Sequence, residues 1–236
     1  MGLKKVFKSI LDLLFPKKCA YCRELITEGF LCYTCNAVYM KEITDGCLGC
    51  GRAHPFCTCA IRHMEDERLI HSLPYKDEGV SKAVLLRMKD GKYRLILEEL
   101  TDRLEGAIRA NDIDNSWTLT FIPRAPSKIR MYGVDQTKEL ACMLSRKTGL
   151  ECIKTIKCRS LYREQKRLGL NARKLNANKR FHLRRGAEHL IKGRKILLLD
   201  DIVTSGASAK RCIELLREAG ASDVICLAAG RSVKYL

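Results

Sequence analysis

The chain has 236 residues, with 44 Lys or Arg against 27 Asp or Glu, a formal charge of +17, and 13 cysteines. That length fits one medium domain with a small appendage better than two equal halves. No stretch approaches the roughly 18 apolar residues that a membrane-crossing helix needs, so the expectation is a cytoplasmic protein whose clustered thiols stay reduced and bind metal.

In chain order, Lys4, Lys5 and Lys8 precede Ile10, Leu11, Leu13, Leu14 and Phe15. Asp12 breaks that apolar run, and Pro16-Lys17-Lys18 follows where a secretory signal would need small residues for cleavage. The segment reads as a short amphipathic helix.

Cys19-Ala-Tyr-Cys22 and Cys32-Tyr-Thr-Cys35 are two Cys-x-x-Cys knuckles, and Cys47-Leu-Gly-Cys50 with Cys57-Thr-Cys59 repeats the idea. Two knuckles close one tetrahedral four-thiolate site of the kind zinc prefers, so two structural zinc ions are expected. Sequential pairing needs only short loops, while a cross-braced arrangement joining Cys19, Cys22, Cys47 and Cys50 is the alternative; the spacing leaves both open. His54 offers a substitute ligand, although its setting reads as a loop. A redox role is disfavoured, because such centres carry one knuckle beside a βαβ unit. Metal would replace the core that so short a segment cannot build, and residues 1–64 are read as this N-terminal zinc-ribbon domain. The other five cysteines (Cys142, Cys152, Cys158, Cys212, Cys226) read as small core residues.

Residues 65–236 form the second expected domain. Leu73-Pro-Tyr75 reads as an edge strand, followed by a helix through Val80, Val84, Leu85 and Met88 and another through Leu95, Ile96, Leu100, Leu104 and Ile108. Trp117 to Ile122 reads as a core strand, the run from Asp135 to Gly149 as a helix, and Leu150 to Ile156 as a further strand. Arg159 to Phe181 has little apolar content and is long for a connection, which marks a functional loop. From Lys157 to Lys195 stand 14 Lys or Arg against two Glu, a net of +12. Such a run is either a solvated face or a surface for polyanions such as pyrophosphate or nucleic acid.

The most informative stretch is Lys195 to Ala209. Ile196 to Leu199 is apolar at every position, as in a strand buried on both faces of a parallel sheet. Asp200 and Asp201 end it, then Thr204-Ser205-Gly206-Ala207-Ser208 leads into a helix marked by Cys212, Leu215, Leu216 and Ala219. Small residues at a helix N-terminus leave amide groups free for a phosphate, and the two carboxylates accept hydrogen bonds from sugar hydroxyls. A phosphorylated ribose satisfies both. Ser222 to Ala229 supplies a last strand.

This order of strand, acidic pair, Thr-Ser-Gly-Ala-Ser turn and helix resembles the phosphoribosyl-pyrophosphate (PRPP) site of type I phosphoribosyltransferases, and with the cysteine-rich front end the chain is similar to the ComF family. The resemblance implies an α/β type I phosphoribosyltransferase-like fold with a central, mostly parallel sheet, the zinc ribbon attached at its N-terminus. It implies that Asp200 and Asp201 hold the ribose hydroxyls and that Thr204, Ser205, Gly206, Ala207 and Ser208 wrap the 5′-phosphate, with two serines where the family has threonine. Arg124, Lys128 and Arg130 stand where a basic loop would face the pyrophosphate of Mg²⁺-bound PRPP. Gln165, Arg173, Asn176 and Phe181 fall on the ComF pattern of a loop that closes over PRPP, and Lys89 matches a Lys of that pattern. Tyr132 and Asp135 depart from its Arg-Gly-x-Asn-Gln stretch. The family link adds single-stranded DNA and the DNA-uptake machinery of competence as partners, with Tyr162 and Phe181 as stacking platforms. Three functions follow: a phosphoribosyltransferase, a non-catalytic PRPP-sensing regulator, and a zinc-ribbon nucleic-acid module.

Overall fold

The computed structural model describes residues 16–47, 50–59, 64, 66–88, 94–159 and 180–233. The amphipathic helix expected over Met1 to Phe15, Lys89, and the loop residues Tyr162, Gln165, Arg173 and Asn176 lie outside them. Among the described residues, no helix is long and apolar enough to cross a membrane.

Four apolar runs become a single parallel sheet. They are β1 (Leu69–Tyr75), β2 (Trp117–Phe121), β5 (Lys195–Val203) and β6 (Asp223–Ser232), in the order β1-β6-β5-β2. Register places Leu197 of β5 between Leu119 of β2 and Ile225 of β6. Side chains alternate to opposite faces along these strands. Leu197 and Leu199 with Ile225 and Leu227 join one apolar cluster, while Ile196 and Leu198 with Val224 and Cys226 join the other. The helices α2 (Val80–Met88), α3 (Arg94–Ala110) and α5 (Gln136–Thr148) supply the first cluster, and α7 (Ala207–Glu218) the second. Ile196 to Leu199 are each fully buried, contributing about 1.5–3 kcal/mol apiece.

β1 is longer than the expected Leu73–Tyr75 but takes the edge position, which Pro74 tolerates because an outer strand has amide positions that need no partner. On β6, a Cβ at Gly230 would lie 2.4 Å from Leu85 Cδ1 of α2, so only glycine lets the helix seat this closely.

One expected strand is largely absent. Around Leu150 to Ile156 the chain makes a single bridge, Cys152 to Leu119. Thr155 Oγ1 then meets Thr120 Oγ1 at 2.7 Å in the interior, and Thr155 O accepts the amide of Arg184. This draws the chain off the main sheet. The short β3 (Ile156–Cys158) pairs antiparallel with β4 (Phe181–Leu183), which α6 (Ala187–Ile191) follows.

The cysteine-rich segment contributes α1 (Tyr33–Thr44) and a 3₁₀ turn over His54–Phe56. Tyr39 of α1 is buried in the same cluster as α3, its hydroxyl receiving Arg103 Nε at 3.1 Å. Glu42 caps α2 from outside: Oε1 accepts the Val80 amide at 3.0 Å, and Oε2 accepts the Ser81 amide at 2.7 Å and its hydroxyl at 2.6 Å. Glu42→Ala is expected to lower stability by about 2 kcal/mol in urea denaturation, the scale of a lost cap joined by charged hydrogen bonds. Glu42→Gln retains one acceptor and should lose less; equal stability of all three proteins would refute the clasp.

Candidate functional site

The chain leaves β2 toward α5 and leaves β5 toward α7, helices that pack in the two separate clusters. Between such diverging connections, at the carboxyl ends of parallel strands, a crevice opens. Here it has a volume of about 210 Å³. Asp200 to Ala209 line one side of it, and Arg124, Lys128, Thr137, Arg180 and Phe181 the other.

β5 runs through the acidic pair instead of ending there. Asp200 is buried and Asp201 half-buried, and each accepts the amide of the next residue, at 2.9 and 2.7 Å. The turn then exposes Thr204 and buries Ser205. Gly206, with φ of 81°, is the N-cap of α7. That left-handed conformation suits glycine and brings the first amides of α7 to the cleft, where an anion is favoured.

The opposite wall is cationic. Arg124 is held by Gln136 Oε1 and lies over the Tyr132 ring, 4.4 Å from its centroid. Asp135 caps α5 through the Lys138 amide and also accepts the Arg124 amide at 3.3 Å. Tyr132 and Asp135, the two departures from the ComF pattern, therefore both support Arg124. Lys128 lies on α4 (Pro126–Tyr132) and lines the cleft, whereas Arg130 on the same helix is exposed and is not among the lining residues. Arg180 brings a cation that sequence reading counted only within the basic run, and its Nε donates to Cys158 Sγ at 3.0 Å. Phe181 is 2% exposed, which removes it as a stacking platform: its ring belongs to the second apolar cluster.

The thiols form two groups, Cys19, Cys22, Cys32 and Cys35, and Cys47, Cys50, Cys57 and Cys59, with all sulfurs of a group within 4.8 Å of one another. This is the sequential pairing. Sulfur-to-sulfur distances include 3.6 Å for Cys22 to Cys32, 3.7 Å for Cys50 to Cys57 and 3.9 Å for Cys47 to Cys59. A tetrahedron of thiolates about 2.3 Å from a central ion has edges of about 3.8 Å, so both groups fit a tetrahedral metal. Burial pushes the Cys19 thiol up, yet the backbone of Cys32, Tyr21 and Cys22 outweighs this and brings it down to about 6. The Arg52 backbone lowers Cys50 to about 7, while burial raises Cys57 to about 12.

Beside the second group lies an arrangement that sequence reading did not anticipate. His54, read as a loop residue, opens the short 3₁₀ turn and is buried, and its Nδ1 meets His71 Nε2 of β1 at 3.1 Å. Burial lowers the pKa of both rings, so each is held neutral. Of the five scattered cysteines, Cys212 and Cys226 are buried core residues as expected, whereas Cys142, Cys152 and Cys158 are only partly covered.

Residues 159–232 match the family model described as "Phosphoribosyl transferase domain". No curated protein matches the chain. Among solved structures, the chain is similar to one titled the allosteric regulatory enzyme of purine biosynthesis, at 18% identity over 64% of this chain and 26% of that one, with a TM-score of 0.35. It is similar to phosphoribosylpyrophosphate synthetase from Mycobacterium smegmatis at 19% identity over 56% and 33%, with a TM-score of 0.34. Adenine phosphoribosyltransferase from Leishmania tarentolae gives 14% identity over 60% and 72%, with a TM-score of 0.37. The chain thus spans only 26% and 33% of the length of the first two. Likeness at this level bears on neither activity nor substrate.

Proposed function

We propose that the cleft binds PRPP and that the chain is a phosphoribosyltransferase. The observation that carries this reading is the convergence of an acidic pair, an amide-lined turn and three cations on one crevice of about 210 Å³. The match of residues 159–232 to the phosphoribosyl transferase domain supports it. Thr204 to Ser208 receive the 5′-phosphate, and Asp200 and Asp201 accept hydrogen bonds from the ribose hydroxyls. Arg124, Lys128 and Arg180 face the pyrophosphate; Arg130 is too exposed for a direct part.

In the reaction, an acceptor attacks ribose C1, the bond from C1 to the pyrophosphate oxygen breaks, and pyrophosphate leaves with the electron pair. Positioning and charge stabilisation carry most of such a step. Bound Mg²⁺ would neutralise part of the pyrophosphate charge, and the acidic pair and the diphosphate are suitable oxygen donors for it. The two thiol groups hold structural zinc, as their four sulfurs leave no open position. We divide the chain accordingly, a zinc ribbon over residues 1–64 and the transferase domain over 65–236, with Gln165, Arg173 and Asn176 in a loop that closes over the substrate. The ComF resemblance adds single-stranded DNA uptake in competence, for which the basic run from Lys157 to Lys195 offers a polyanion surface, and the clustered reduced thiols suit a cytoplasmic setting.

Isothermal titration with PRPP and Mg²⁺ tests the reading. Wild-type protein should bind, and Asp200→Ala with Asp201→Ala should weaken binding at least about 100-fold, the scale of two or more charged hydrogen bonds lost. No binding by the wild type, or equal binding by the double variant, overturns it. PRPP binding without pyrophosphate release, with any acceptor tried, would instead mark a sensor.

A further inference from the structure

The second thiol group touches a charge that the proposed transfer chemistry does not use. Arg231 lies on β6 and is 2% exposed, and its Nη1 donates to Cys57 Sγ at 3.1 Å, with Cys57 itself 3% exposed. Register sets Arg231 between Pro74 of β1 and Val203 of β5, the residue before the Thr204 turn. A buried guanidinium needs a buried counter-charge. Four thiolates around a divalent metal leave a net negative centre, and a donor to one sulfur spreads that charge and orients the ligand. The first group presents a contrasting neighbour, the Glu24 carboxylate 3.9 Å from Cys22 Sγ.

We propose that Arg231 is the outer-sphere partner of the second metal centre, compensating its charge through Cys57 and setting how tightly that centre, and not the first, keeps its ion. The inference rests on the reading of both thiol groups as metal sites. It is independent of PRPP.

The test uses the full chain loaded with zinc, whose release to a colorimetric chelator is followed as a thiol reagent is added. Two equivalents should leave in two phases, and Cys22→Ser assigns the first group's phase by accelerating it. Arg231→Met should speed the other phase about 10-fold, the usual cost of losing an outer-sphere partner, and leave the first phase unchanged. Arg231→Lys keeps the charge without the planar fork and should fall between. With Co²⁺ in place of zinc, removing a hydrogen bond from a thiolate raises the sulfur donor level, so the sulfur-to-cobalt charge-transfer band should move to longer wavelength in Arg231→Met. Wild-type release rates with an unmoved band overturn the proposal. So does equal acceleration of both phases with loss of helical circular dichroism, which would make Arg231 a residue of the fold alone. Fewer than two zinc equivalents in the wild type overturns the metal reading itself, and this inference with it.

Discussion

Stripping both metals with a chelator and a thiol reagent is expected to unfold residues 16–59 while the four-stranded sheet stays folded. The segment supplies little to the apolar interior: Ala20 and Tyr39 are its buried members of the first cluster, with Phe30, Leu31 and Ile43 at the margin. α1 has few apolar anchors of its own, only Cys35 and Tyr39 being buried. Structural zinc in such folds contributes on the order of 10–16 kcal/mol of apparent binding free energy, more than these contacts could replace. The sheet, by contrast, is covered by α3, α5 and α7, and the two apolar clusters they build include none of the eight clustered cysteines. Hydrogen exchange read by mass spectrometry should therefore show lost protection in Cys19 to Cys59 and retained protection in β2, β5 and β6. A fall in the melting temperature of the remainder is expected, since Tyr39, the Glu42 cap and the Cys57 partner of buried Arg231 leave with the segment. Unchanged protection of the cysteine-rich amides after metal removal would show that they fold without an ion.

Replacing Gly206 by valine should weaken PRPP binding at least about 100-fold and lower stability by about 1–3 kcal/mol. The φ of 81° at this position is strained for any side chain, most of all a β-branched one. Relief of that strain rotates the peptide that begins α7 and withdraws its first amides from the cleft. Each amide lost to a phosphate costs about 1.5–3 kcal/mol, so two account for the affinity. Thr204→Ala separates the contributions, because Thr204 is exposed and its hydroxyl is a single donor: stability should hold while affinity falls about tenfold. Calorimetry on the three proteins decides, and undiminished affinity in Gly206→Val would place the phosphate elsewhere.

How far such a site can be read from a chain depends on how local it is. The acidic pair and the turn after it occupy nine consecutive positions, so strand, loop and helix start were visible together. The cysteine pairs were visible for the same reason, and their grouping was not, because spacing permits more than one way of closing a tetrahedron. The cationic wall was half legible. Arg124 and Lys128 follow a strand directly, but whether a residue on α4 lines the cleft depends on how that short helix lies, and Arg130 does not line it. Arg180 enters only because β4 pairs with β3. The strand expected over Leu150 to Ile156 failed where Thr155 found a buried hydroxyl partner across the fold, and Phe181 failed as a base platform because an aromatic ring beside an open core is drawn into it.

Short-range pattern alone marked a strand suited to a buried parallel sheet, a thiol-rich appendage and a small-residue turn at a helix start, because each is written in residues close enough to share one strand, one knuckle or one helix end. Tertiary structure alone decided that His54 meets His71, and that Arg231 reaches Cys57 across 174 positions. Buried charges and imidazoles take whichever partner packing brings within about 3 Å, and no local rule of spacing encodes that meeting.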